Sequence, residues 1–178
     1  MLIYASATAA YLYPAYRDPA LMIVASAWLS VPVSTVIHEL GHLLMGIAFG
    51  MPVSELRLGG GKRLALQFGP NFRLLLGSLP FTGHVEFKWL PISRPRRIAV
   101  YAAGVGATFL AAAVVCVFPL QGQTASQAGV LLVVVLSGLE NLAGRHPQSD
   151  RWSDGEAIRG LWAYKKCSVS TISVTRRP

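Results

Sequence analysis

The sequence predicts an all-α integral membrane helical bundle of three to four transmembrane helices, with a small cytoplasmic β-hairpin segment. Three observations predict it. Of the 178 residues, 53% are hydrophobic and only 13% charged, against about a quarter charged in soluble domains, and mean hydropathy is +0.47. Apolar runs at 20–50, 98–118 and 128–142 are separated by polar or basic stretches, which is the pattern of spans and their loops. Between the first two runs, residues 53–97 change character. There, short apolar runs alternate with glycine clusters, a punctuation that reads as strands and turns. Residues 1–178 form one membrane-embedded domain on this reading, with 145–178 as a polar C-terminal segment.

Taken in order, residues 1–13 are apolar but reach only about 20 Å as a helix, against about 30 Å of hydrocarbon. They span only by extending through Tyr16; otherwise they lie in the interface, where Tyr11, Tyr13 and Tyr16 fit. The N-terminus has no basic n-region or small-residue cleavage site, so no signal peptide is read. Arg17-Asp18-Pro19 breaks this element. The run to Gly50 is about 45 Å long as a helix, enough to cross when tilted, and Pro32 should kink it. Short strands are expected at 55–58, 64–68, 72–76 and 84–89, divided by Gly59-Gly60-Gly61, by Gly69-Pro70-Asn71 and by 77–83. Arg94-Pro95-Arg96-Arg97 closes the segment at the membrane surface. In the span 98–118, Gly104 and Gly106 allow close approach of another helix. The span 128–142 ends with Glu140 and Asn141, and 154–166 reads as a helix capped by Ser153.

Charge sets the orientation. The net charge of +8 would suggest nucleic acid in a soluble chain. Here eight Lys and Arg fall in 53–97 and seven from Arg145 onward, with only Arg17 before the long span. Positive residues gather on the cytoplasmic side, so the hairpin segment and the C-terminus are expected there, in a multi-pass protein of a bacterial cell membrane. The lipid bilayer, not nucleic acid, is the expected surroundings. Cys116 and Cys167 are too few and too far apart for a disulfide framework or a cysteine-rich metal site.

The chemistry lies in His38-Glu39-Leu40-Gly41-His42. Two histidines at i and i+4 share one helix face, so both imidazoles can reach one ion, and zinc is the ion such a pair usually holds. Glu39 can take a proton from water activated there. The plain alternative is a satisfied polar pair in a helix core. Here all three sit where hydrocarbon should be, and polar groups there cost several kcal/mol unless they have partners. A catalytic zinc needs a third protein ligand. Glu55, His84, Glu86, Glu140, His146, Asp150, Asp154 and Glu156 are the candidates. Trp89, Trp152 and Trp162 read as interfacial anchors, and Gly59–Gly61 with Lys62 lacks the spacing of a phosphate loop.

The order of motifs resembles the site-2 protease family of intramembrane zinc metalloproteases. Its His-Glu-x-x-His helix is matched by His38 to His42. Its Asn-Leu-x-Pro stretch ending in Asp-Gly is matched by Asn141-Leu142, Pro147 and Asp154-Gly155. The stretch Leu79-Pro80-Phe81-Thr82-Gly83-His84-Val85-Glu86-Phe87 is similar to the family's substrate-lining hairpin, and Ala103-Gly104-Val105-Gly106-Ala107-Thr108 to its Ala-Gly-Pro-x-x-Asn stretch. Val105, Thr108 and Thr82 depart from that pattern, and the link from Asn141 to Asp154 is longer and more polar. The resemblance implies a zinc metalloendopeptidase with Glu39 as catalytic base and His38, His42 and Asp154 as metal ligands; Asp150 and Glu140 stand in reserve. It further implies Asn141, Gly83 and Val85 near the substrate, which would be a membrane protein. The alternative is a non-proteolytic zinc-binding membrane scaffold that meets a regulatory membrane partner. A transporter is disfavoured because inverted-repeat halves are not visible, and a soluble metalloprotease fails on composition.

Overall fold

Asp18 starts the first helix by accepting a 2.8 Å hydrogen bond from the Ala20 amide, and Pro19 opens the first turn. Both choices suit a helix start, where amides lack intrahelical acceptors. The computed structural model describes residues 18–89, 93–118, 124–143 and 153–163; the expected N-terminal element at 1–16 lies outside them. Helix α1, Pro19–Ala48, runs unbroken through Pro32. It ends in a turn in which the Gly50 and Met51 amides return to the carbonyls of Ile47 and Gly46.

Two long strands follow, β1 (Val53–Phe68) and β2 (Phe72–Phe87), in an antiparallel two-stranded sheet. The four short runs expected from sequence are joined pairwise into these two elements. Gly59 and Gly61, at φ +93° and +74°, bend β1 without ending it, a conformation that side chains with a Cβ resist. The bend makes the first half of β1 pair on both sides. Leu56 lies opposite Val85 and also opposite Leu74, whereas Leu66 lies opposite Leu74 alone. Trp89 falls just beyond the strand.

Helix α2 is Arg94–Val117 and α3 is Thr124–Ala143. Each begins four residues before the apolar run that predicted it. Ser93 caps α2, accepting from the Arg96 amide at 3.4 Å, so the basic stop is the helix's own first turn. The short helix α4, Asp154–Ala163, carries a reciprocal cap. The Ser153 hydroxyl accepts from the Glu156 amide at 3.2 Å, and Glu156 Oε2 accepts from the Ser153 amide at 3.4 Å, the Ser-x-x-Glu capping box. The remainder of the helix expected to 166 lies outside the described residues.

Helices α1, α2 and α3 are each long and apolar enough to cross a membrane. Their outward faces carry leucines and valines such as Leu44, Leu110, Val117 and Leu132, which are half or more exposed. That is the arrangement of a helical membrane protein, whose outer surface is solvated by lipid. Inside, α1 and α2 approach backbone to backbone. A Cβ on Gly41 would overlap the Ala103 carbonyl and the Ala107 side chain, the small-residue contact typical of helices in bilayers.

Candidate metal centre

His38, Glu39 and His42 are buried in the C-terminal half of α1. The i, i+4 spacing brings the two imidazole Nε2 atoms within 3.2 Å of each other. Asp154, the first residue of α4, directs Oδ2 to both, 3.0 Å from His38 Nε2 and 3.1 Å from His42 Nε2. Three ligand atoms from two helices thus form a nearly equilateral triangle. An ion bonded at about 2.0–2.1 Å to three tetrahedral ligands would separate them by about 3.3 Å. The triangle fits an ion with the fourth position left open.

The outer nitrogens decide which atoms face inward. His42 Nδ1 lies 2.7 Å from the Val100 carbonyl, which can only accept, so Nδ1 carries the proton. In the neutral ring, Nε2 then presents a lone pair. His38 Nδ1 lies 3.2 Å from the Thr108 hydroxyl. With both rings in that tautomer, two imidazole lone pairs and a carboxylate oxygen converge on one point, and a cation there would relieve their mutual repulsion. Burial alone would raise the Asp154 carboxyl; when an imidazole Nε2 carries a proton in place of a metal, its hydrogen bond and charge outweigh burial and hold the group below its ordinary value. A carboxylate that stays ionised is the form a metal requires.

Local packing opens space for these groups. A Cβ on Gly104 would run into the His42 imidazole at Nε2. A Cβ on Gly83 would overlap the Glu39 carboxylate, so the backbone of β2 passes directly over the acid. Further along, Phe87 covers Gly46, while Phe81 meets Trp28 edge-on at 5.4 Å. Residues 81–87 therefore lie along α1 across the motif. They pair with β1 along one side only, so among the described residues the other edge has no strand partner.

Asp154 reaches the histidines because α4 docks against α2 and on the end of α3. A Cβ on Gly155 would collide with the Leu142 carbonyl, and that carbonyl also accepts from Arg159 at 2.9 Å. The remaining candidates lie elsewhere. Glu55 is paired with Arg57, Glu86 and Glu140 are exposed, and Glu156 serves the cap. Asp150 and His146 lie outside the described residues. His84 sits on β2 opposite Arg57. Val85 is buried in the sheet, two residues from Gly83. Asn141, expected near the site, turns its amide back to the Ser137 carbonyl at 2.9 Å. Thr108 and Gly104 were noted in the sequence for other reasons; their contacts with the histidines bridge residues far apart in the chain, which no local pattern reveals.

A family model, peptidase family M50, matches residues 26–172. The chain belongs to this family, the site-2 protease family. A curated relative, named "Putative zinc metalloprotease" and from Chlamydia trachomatis serovar D, is 40% identical over 52 residues. Those residues are 29% of this chain and 8% of the relative, so the chain spans only a small part of that protein's length. In this M50 chain, the group His38, His42 and Asp154 could hold a metal ion.

Proposed function

We propose that this M50 chain is an intramembrane zinc metalloprotease that hydrolyses peptide bonds in or near transmembrane segments of membrane-protein substrates. The observation that carries the reading is the triangle of His38 Nε2, His42 Nε2 and Asp154 Oδ2, with edges of 3.0–3.2 Å, beside a buried Glu39. Two nitrogens and one carboxylate oxygen suit zinc with an open coordination position. The bound ion would supply Lewis acidity, which lowers the pKa of water toward neutrality and stabilises developing negative charge.

The chain's own residues do the rest. Glu39 takes the proton of the attacking water and returns it to the leaving amine. A helical substrate has its carbonyls hydrogen-bonded, so a local stretch must unwind before attack. Residues 83–87, which pair with β1 on one side and have no second strand beside them among the described residues, run with Gly83 against Glu39 and are suited to hold that stretch extended by main-chain pairing. Val85 belongs to this strand. Asn141 donates one amide hydrogen to Ser137, which leaves its Oδ1 and second N–H for substrate. The protein would be multi-pass in a bacterial cell membrane, its sheet and C-terminus cytoplasmic, as the distribution of Lys and Arg supports.

Two measurements on detergent-purified protein test this. Zinc content should be about one per chain in the parent and lost in His42→Ala and Asp154→Ala. Zinc retained by Asp154→Ala would move the third ligand elsewhere. With zinc-loaded protein and a panel of single-span reporter proteins, Glu39→Gln should keep zinc but lose cleavage by about 10²–10⁴-fold. Undiminished cleavage by Glu39→Gln would sink the mechanism. Zinc binding without cleavage of any reporter would favour the scaffold reading.

A further inference from the structure

Thr108, on α2, has no exposed surface. Its hydroxyl lies between two groups of different character. The Gly104 carbonyl is 3.1 Å away and can only accept, so the hydroxyl proton is directed there. The lone pairs on Oγ1 are then available to His38 Nδ1 at 3.2 Å, which must be the donor. A proton held on Nδ1 leaves Nε2 of the neutral ring bare, pointing at His42 Nε2 and Asp154 Oδ2.

The two histidines are thus oriented by different means. His42 is held by a backbone carbonyl, that of Val100, which no side-chain replacement removes. His38 depends on a side chain. We propose that Thr108 is a positioning residue of the metal centre, whose hydroxyl selects the His38 tautomer and fixes the plane of its ring. Nothing in the local sequence marks it; its position is one where the Ala-Gly-Pro-x-x-Asn pattern carries asparagine instead. The plain competing account is that the hydroxyl only satisfies itself on Gly104, one turn back along its own helix, as threonines in membrane helices do. That account gives the hydroxyl no part in metal binding. Partners of metal-bound imidazoles orient the ring and raise its basicity, and their removal costs about 10–100-fold in metal affinity.

The inference rests on the metal reading of the site, and one experiment separates the two. Zinc affinity is measured on the full chain in detergent, by competition with a chromophoric chelator, for the parent, Thr108→Val, Thr108→Ser and Thr108→Ala. The ligand-field absorption of the cobalt-substituted forms is recorded alongside. Valine keeps the shape but not the hydroxyl, and serine keeps the hydroxyl but not the methyl. The valine and alanine variants should bind zinc about 10–100-fold more weakly and show an altered cobalt spectrum, while serine keeps the parent's affinity and spectrum. If valine fails to fold, serine against alanine still isolates the hydroxyl. Equal affinity for parent, valine and alanine, or equal losses for serine and alanine, would overturn the assignment while leaving the metal reading intact. Failure of the parent itself to bind zinc would overturn both.

Discussion

Gly104 is a residue whose absent side chain makes room for another residue's chemistry. In the sequence, Gly104 with Gly106 signalled close approach of two helices. In the structure the space above Gly104 holds the His42 imidazole, whereas close backbone approach occurs at Gly41. Gly104→Ala should push His42 out of line, lowering zinc affinity by about tenfold or more, in the range seen when ligand orientation is lost. Chelator competition measures it, and a conservative Gly106→Ala change, open to space on the same helix, serves as control. At this scale His38, Glu39 and His42 were legible because their relation is one helical turn. The placement of Asp154 came from resemblance to a family, since no local rule relates positions 42 and 154. Thr108 stood out only as a departure from a family stretch, and its contact with His38 was not readable because the two lie 70 residues apart in sequence.

Among the elements, α4 has the fewest means of support and the most consequence. It begins with the ligand Asp154 and is held by its capping box, by Gly155 against the Leu142 carbonyl and by Arg159. Ser153→Ala should remove about 1 kcal/mol of that support. Amides of α4 should then exchange about fivefold faster with deuterated solvent, with α1 and α2 unchanged, and zinc should bind more weakly because Asp154 is ordered less of the time. Unchanged exchange would mean docking on α2 and α3, and not the cap, sets the stability of α4. The Ser-x-x-Glu signature made this start readable. The sheet was readable in part: its four runs follow from alternating apolar residues and turn residues, as local patterns do. Their joining into two bent strands depends on pairing between distant halves, which local punctuation does not encode. The starts of α2 and α3 lie four residues outside their apolar runs for a related reason. Hydropathy marks where a helix enters lipid, whereas Ser93 marks where the helix begins.

For the molecule as a whole, the centre is also a tie. His38 and His42 belong to α1, Asp154 to α4, and α4 in turn rests on the end of α3, so an ion at the triangle joins the first described span to the last described helix. An ion bound only by the folded arrangement stabilises it by mass action, about 4 kcal/mol when free zinc stands at a thousand times its dissociation constant. Removing zinc with a chelator should therefore lower the midpoint of thermal unfolding in detergent, and re-adding zinc should restore it. The shift should be absent in His42→Ala, which has no complete triangle to lose. It should shrink with Ser153→Ala, where part of the binding free energy is spent on ordering α4. Magnesium, which favours six oxygen ligands, should not substitute for zinc. A midpoint indifferent to zinc in the parent, at concentrations that fill the site, would mean that the heat-unfolded chain binds the ion as tightly as the folded one, so that the triangle owes nothing to the fold.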